Sequence, residues 1–536
     1  MKRLLAISVA LAFAPSLSLA HDDHKLGTIN FQVSCNGDAS RHFTTGMLLQ
    51  YNYHWGPARK AFENAVAADA ACGMAHYGTA ITAMDNILAG APSPKQLADG
   101  KAALDKARAA GLPTQREKDY VAAADTFFAG DDKQPALQRM EAFEGAMAKV
   151  AAAHPSDSEA AVIHAWALLA SAPLTDKSLT KQLRAANILE GIAKTQPDHP
   201  GVVHFLVHAY DYPAIAHKGV AAARKYSTLA AAAPHALHMP SHIYTRMGYW
   251  QDSVETNTAS AKSCGDIDWC KLHAYDYMVY AYLQLGKVDE ASKIVDQMRT
   301  FTLKSSNESR FPSTYALASG PLRLALETGQ WRTAADFTLP PGTQEVWGRI
   351  GSPEMIYLFG RGFGAARAGD VKQARAEMER LAAVQKRFDD RSDKYWSTQA
   401  SVHMKIIEGW VAKVEGRNAD AIRIMREAAD IEDGTEKHIV TPGPLAPARE
   451  LLGELLLESG DAKGAYAEYV KTLEREPGRR RTLLGAATAA ERAGDKANAQ
   501  KYKQQMGPSA AAPGLVPVAT TTDEIDPCPC RYCRQS

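Results

Sequence analysis

Seven glycines between residues 248 and 494 that end one apolar, helically spaced segment are followed, five positions later, by an alanine or serine that opens the next. The pairs are Gly248/Ser253, Gly286/Ala291, Gly329/Ala334, Gly369/Ala374, Gly416/Ala421, Gly460/Ala465 and Gly494/Ala499. Apolar residues at helical spacing flank each pair, as in LLGELLLESGDAKGAYAEYVKTLEREP from 451 to 477. Glycine supplies the left-handed stop of one helix, and a small residue on the next lets two antiparallel helices approach closely. The last two alanines are 34 residues apart and the other spacings run from 38 to 47, which implies longer helices or loops inside a repeating hairpin. A unit around Ala58, Phe62 and Ala65 fits the pattern without the glycine. Hairpins of this kind bury their apolar faces only against one another, so they must stack.

Gly453, Leu456, Ala465, Tyr469 and Pro477 stand where the tetratricopeptide repeat places its small, large and proline signature residues. The chain resembles that superfamily over about residues 40–506. The resemblance implies an all-α fold, a right-handed superhelical solenoid of stacked helical hairpins. It also implies a concave face lined by the first helix of each hairpin, where a protein or peptide ligand would bind. With the alanine column as the twentieth repeat position, the family turns positions two, five, nine, twelve and thirteen toward that face.

The first twenty residues, MKRLLAISVALAFAPSLSLA, place Lys2 and Arg3 before an apolar run and small residues at Ser18 and Ala20. This is the pattern of a secretory signal peptide cut before His21. Residues 21–39 then form an N-terminal extension, 40–506 the solenoid, and 507–536 a Pro/Ala/Thr-rich tail without the apolar pattern needed to fold. Without the leader, 59 basic residues face 60 acidic ones. Such a balance leaves no broad electrostatic footprint, so no nucleic-acid partner is expected. No later segment is apolar enough to span a bilayer, so no membrane insertion is expected and the mature chain is read as exported, periplasmic or secreted.

One stretch of the expected concave face, 199–276, is rich in histidine. His204 and His208 are four apart, as are His238 and His242, and each member of the second pair follows its counterpart by 34 residues. A step of four keeps side chains on one helix face, so both pairs occupy the fifth and ninth positions of neighbouring first helices. Asp211 and His235 lie one turn from these pairs, and the next repeat adds His273 and Asp276. A lone helical histidine is ordinarily a packed or solvated side chain. Packing does not require histidine twice at the same register, however, and imidazoles with a carboxylate suit a transition metal ion such as Zn, Cu, Fe or Mn. His204, His208, Asp211, His235, His238, His242, His273 and Asp276 are therefore the candidate metal ligands. Pro240 should start a new helix, leaving His235 and His238 in the turn before it, at the mouth of the groove. The paired segments HPGVVHFLVHAYD and HALHMPSH also resemble those of a group of exported bacterial repeat proteins.

No zincin motif is present, since Phe205 and Met239 stand where the glutamate base would be. Any water activation would fall to Asp211 or Asp276, with Tyr244, Tyr280 and Arg246 able to orient an anion. Cys264 and Cys270, in CGDIDWC, are placed for a loop-closing disulfide, and Cys35 and Cys72 flank the first hairpin and could bridge it. Cys528, Cys530 and Cys533 in the terminal CPCRYC, and the start HDDH, carry further soft and imidazole donors. These features support an exported repeat scaffold with a histidine-rich metal site on its concave face. The alternatives are a metal-dependent hydrolase or oxidoreductase using the same cluster, and a periplasmic metal-handling protein.

Overall fold

The computed structural model describes residues 26–90, 92–303, 311–346 and 350–506. The segment expected to be a signal peptide, the HDDH start and the CPCRYC tail lie outside the described residues. Among those residues every regular element is helical, from Gly37–Tyr51 to Lys496–Gln505. Consecutive helices pack against one another as stacked hairpins, which makes the protein an all-α solenoid.

The glycine–alanine pattern has the physical role it suggested. All seven glycines have positive φ, between 70° and 89°, and the paired Ser253 and six alanines are all buried. Tyr469 shows why the signature residues are small: a Cβ on Gly453 or Gly485 would come 3.0 or 2.3 Å from its ring. The 47-residue spacing reflects two long helices, Val371–Asp390 and Lys394–Val414. The 44-residue spacing that follows has another cause, a loop over 434–447 between the helices Asn418–Asp433 and Ala448–Glu458.

That loop lies against the first helices of the middle hairpins, the face assigned above to a partner. Its Glu436 N–H donates to the Leu174 carbonyl at 2.8 Å and its Thr441 carbonyl accepts from Tyr277 Oη at 3.2 Å. Arg323 donates to the carbonyls of Gly443 and Pro444 at 3.2 and 2.8 Å. The segment after it closes on the same hairpins, with Trp250 Nε1 donating to the Gly478 carbonyl at 3.1 Å. Gly248 sits at this junction, where a Cβ would come 2.8 Å from the Pro477 carbonyl oxygen. Gly416 has a similar φ of 78° but open space around it. Gly416→Ala should therefore lose only the backbone term, about 1 kcal/mol, whereas Gly248→Ala should lose about 2–3 kcal/mol. Denaturant midpoints of the two variants measure the difference.

Two disulfides are formed, Cys35–Cys72 and Cys264–Cys270. None of the described helices is long and apolar enough to cross a membrane. One apolar core runs from Leu26 to Tyr244 and a second from Tyr315 to Tyr502. The apolar residues around His204, His208, His238 and His242 belong to the first core, and the helix Asp268–Gln284 contributes to two smaller clusters.

Candidate metal centre

Four helices bring the histidines together. Pro200–Tyr210 carries His204 and His208, with Asp211 as its C-cap. The chain then breaks at Met239 as Pro240 demands: the single turn Pro234–His238 holds His235 and His238, and Pro240–Met247 holds His242. Asp268–Gln284 supplies His273 and Asp276. His235 and His238 are not at a groove mouth, because all six histidines are at most 8% exposed. Packing of the middle hairpins and of the returning loop covers them.

The six imidazoles form two triads. His204, His208 and His235 make one, His238, His242 and His273 the other, and in each a nitrogen from every ring lies within 4.8 Å of the other two. Equal 34-residue offsets link the first two members, and His235 and His273 are 38 apart, the local repeat spacing from Gly248 to Gly286. The second triad is thus the first advanced by one repeat. The sequence pairs do not meet as a single tetrad; each instead recruits one histidine from the following hairpin. The triads adjoin, with ring centroids 5.5 Å apart for His208/His242 and 5.7 Å for His235/His238.

Hydrogen bonds determine where the protons sit. His204 Nδ1 faces the Tyr51 carbonyl at 2.7 Å, an atom that can only accept. His238 Nδ1 lies 2.7 Å from Asn257 Oδ1, and the amide orientation follows from Asn257 Nδ2 donating to the Ser253 carbonyl at 2.7 Å. His242 Nδ1 lies 3.0 Å from Asp211 Oδ2. In all three rings Nδ1 carries the proton, so Nε2 presents a lone pair. Yet His238 Nε2 and His242 Nε2 are 3.1 Å apart, and His204 Nε2 is 3.1 and 3.3 Å from Nε2 of His208 and His235.

Protonation does not relieve this. Burial, reinforced by neighbouring imidazoles, pushes His208, His235 and His238 well below the ordinary histidine value. Burial likewise pushes His204 and His273 down to about 3. For His242 burial outweighs the upward pull of Asp211, and its value is lowered too. At neutral pH the centre is a set of uncharged, buried rings, with two lone pairs opposed between His238 and His242. A tetrahedral ion with bonds of about 2.0–2.1 Å would hold its nitrogens about 3.3 Å apart, close to the His204–His208, His204–His235 and His238–His242 spacings.

The carboxylates stand elsewhere. Asp211 lies behind His242, and its other contacts are Arg246 Nε at 2.9 Å and Lys437 Nζ at 2.8 Å. Burial opposes its charge, but Lys437 and Arg246 outweigh that and hold the carboxyl well below the usual range. This is the arrangement in which a carboxylate orients a ligating histidine without touching the ion. Asp276 lies outside both triads; it accepts from Ser319 Oγ at 2.9 Å, and burial raises its carboxyl. Arg246 is committed to Asp211, while Tyr280 donates to Glu476 at 3.2 Å. Tyr244 is a buried core residue.

Several participants were not legible in the sequence. Tyr51 and Tyr53 come from the first hairpin, and the Tyr53 ring stacks on His235 at 5.1 Å. Tyr277 Oη lies 3.3 Å from His242 Nδ1. Lys437 arrives from the 434–447 loop, and the long spacing around that loop was its only signal.

No known family model matches the chain, and no curated protein does. Among solved structures, human IFIT1 as a dimer with m7Gppp-AAAA is 10% identical over 89% of this chain and 95% of its own, with a TM-score of 0.39. The P58(IPK) TPR domain is 13% identical over 86% and 99%, with a TM-score of 0.20. Naa15/Naa10 bound to HypK-THB is 11% identical over 88% and 70%, with a TM-score of 0.22. Likenesses at this level bear on no functional residue.

Proposed function

We propose that the protein is an exported helical-repeat scaffold built around a buried, histidine-held transition-metal centre of two adjacent three-histidine sites. The observation that carries this reading is the His238–His242 contact. Both Nδ1 atoms are committed to acceptors, so two lone pairs face each other at 3.1 Å in a buried site with no proton between them. A cation removes that conflict, and imidazole nitrogens are the donors that Zn, Cu and Fe favour. Mn fits less well, since a carboxylate in the shell was the reason to include it and Asp211 stands behind the histidines. The two disulfides support export to an oxidising compartment.

Three nitrogens per ion leave a position open for water or dioxygen, as in catalytic zinc sites, and this favours a metal-dependent hydrolase or oxidoreductase as the second reading. A metal-handling role requires ready exchange, which the burial of all six rings opposes. A protein or peptide ligand on the concave face would meet the chain's own 434–447 loop.

Elemental analysis of protein purified from its native compartment tests the centre. One to two equivalents of transition metal per chain, removed only slowly by chelator at neutral pH, are expected; material with none would end the proposal. In metal-loaded protein, azide that perturbs the ligand-field spectrum would establish an open position and favour the enzyme reading.

A further inference from the structure

Arg246 and Lys437, the partners of Asp211, also line a cavity of about 60 Å³. A water needs about 10–15 Å³ by this measure, so the space admits roughly four to six water-sized groups. Its walls include the aromatic rings of Tyr315, Tyr395 and Trp396, together with His403, Glu432 and Glu436.

Its charged groups are unevenly satisfied. Each lining cation already has a carboxylate partner: Arg246 and Lys437 hold Asp211, while Arg449 and Arg475 hold Asp433. The acceptors retain capacity. Glu436 is 5% exposed; its Oε1 is held by Lys177, but its Oε2 has no hydrogen-bond donor, and the Arg475 guanidinium stands off at 3.9 Å. Glu432 accepts from the Ala448 N–H at 2.8 Å, and burial raises its carboxyl to about 7. His403 is 7% exposed, stacked on Phe359 at 4.0 Å, and its Nδ1 has no partner.

We propose that this cavity binds a small primary ammonium ion on a short apolar stem, with Glu436 Oε2 and Glu432 receiving its N–H groups and Tyr395 and Trp396 covering the stem. Desolvated ammonium groups gain from both carboxylates and aromatic faces. An anion would have to compete with Asp211 and Asp433 for cations that are already engaged. This inference goes beyond the metal centre and does not depend on it.

Calorimetric titration of the full chain with n-butylammonium, n-butanol and n-butyrate tests it. Saturable binding is expected for the ammonium alone, weakened at least tenfold by Glu436→Gln and, separately, by Trp396→Leu, with helical content unchanged in both. The wild-type comparison needs no variant to fold. Equal binding of butanol, preference for butyrate, no binding of butylammonium, or full affinity in well-folded Glu436→Gln would each overturn the proposal.

Discussion

Replacing His238 and His242 together by alanine should remove the ion of the second triad and leave that of the first. His204→Ala with His208→Ala should do the reverse, and the four changes combined should yield a metal-free protein. Each pair removes two of three nitrogens, and the remaining imidazole cannot hold an ion against water. Loss of the ion also removes its linkage to folding, about 4 kcal/mol where free metal stands a thousandfold above its dissociation constant. The melting temperature of each double variant should then become insensitive to chelator at its own site. Elemental analysis and melting with and without chelator read both effects. Full occupancy in His238→Ala/His242→Ala would place the ion elsewhere and reduce the histidines to packing residues.

Metal-free protein should lose stability steeply as the pH falls below about 6.5. In the unfolded chain a histidine gains its proton near 6.5, whereas the folded centre keeps His204 and His273 neutral down to about 3. Burial lowers the other four rings as well. Between those values the unfolded state binds more protons, so acid favours unfolding, and above 6.5 the term vanishes. Each ring contributes up to about 1.4 kcal/mol per pH unit, and six together reach on the order of 8 kcal/mol per unit. Denaturant midpoints between pH 7.5 and 5 measure the slope. The histidine composition alone would place proton competition for the metal near pH 6.5; burial delays it in the folded protein to more acid values. A chelated protein equally stable at pH 7 and 5 would show that the rings are hydrated and titrate normally.

The two expectations constrain each other. A centre that is neutral, buried and holds opposed lone pairs between His238 and His242 is unfavourable without a cation, and the same features give an ion strong retention. Asp211 connects it to the rest of the fold, because the carboxylate that orients His242 is also held by Lys437, 226 residues further along the chain. The loop bringing Lys437 occupies the face where the repeat resemblance expects a partner.

What the sequence alone determined follows from short-range periodicity. Glycine every 34 to 47 residues stops helices, small residues five positions on permit close approach, and the 3.6-residue spacing of apolar side chains leaves no place for strands. The same arithmetic placed His204, His208, His238 and His242 in one neighbourhood, since a repeat returns the chain to an equivalent position one layer on. Local steps could not determine how the six rings divide. That depended on how the turn Pro234–His238 and the helix Asp268–Gln284 pack against their neighbours, which places His235 with the first pair and His273 with the second. Nor could they show the Tyr51 carbonyl, Asn257 or Lys437, whose hydrogen bonds place the protons and hold Asp211 ionised. Those contacts exist only after the first hairpin and the 434–447 loop have packed against the middle of the solenoid. Burial, which sets the charge of every histidine in the centre, is a property of that packing and not of any segment of the chain.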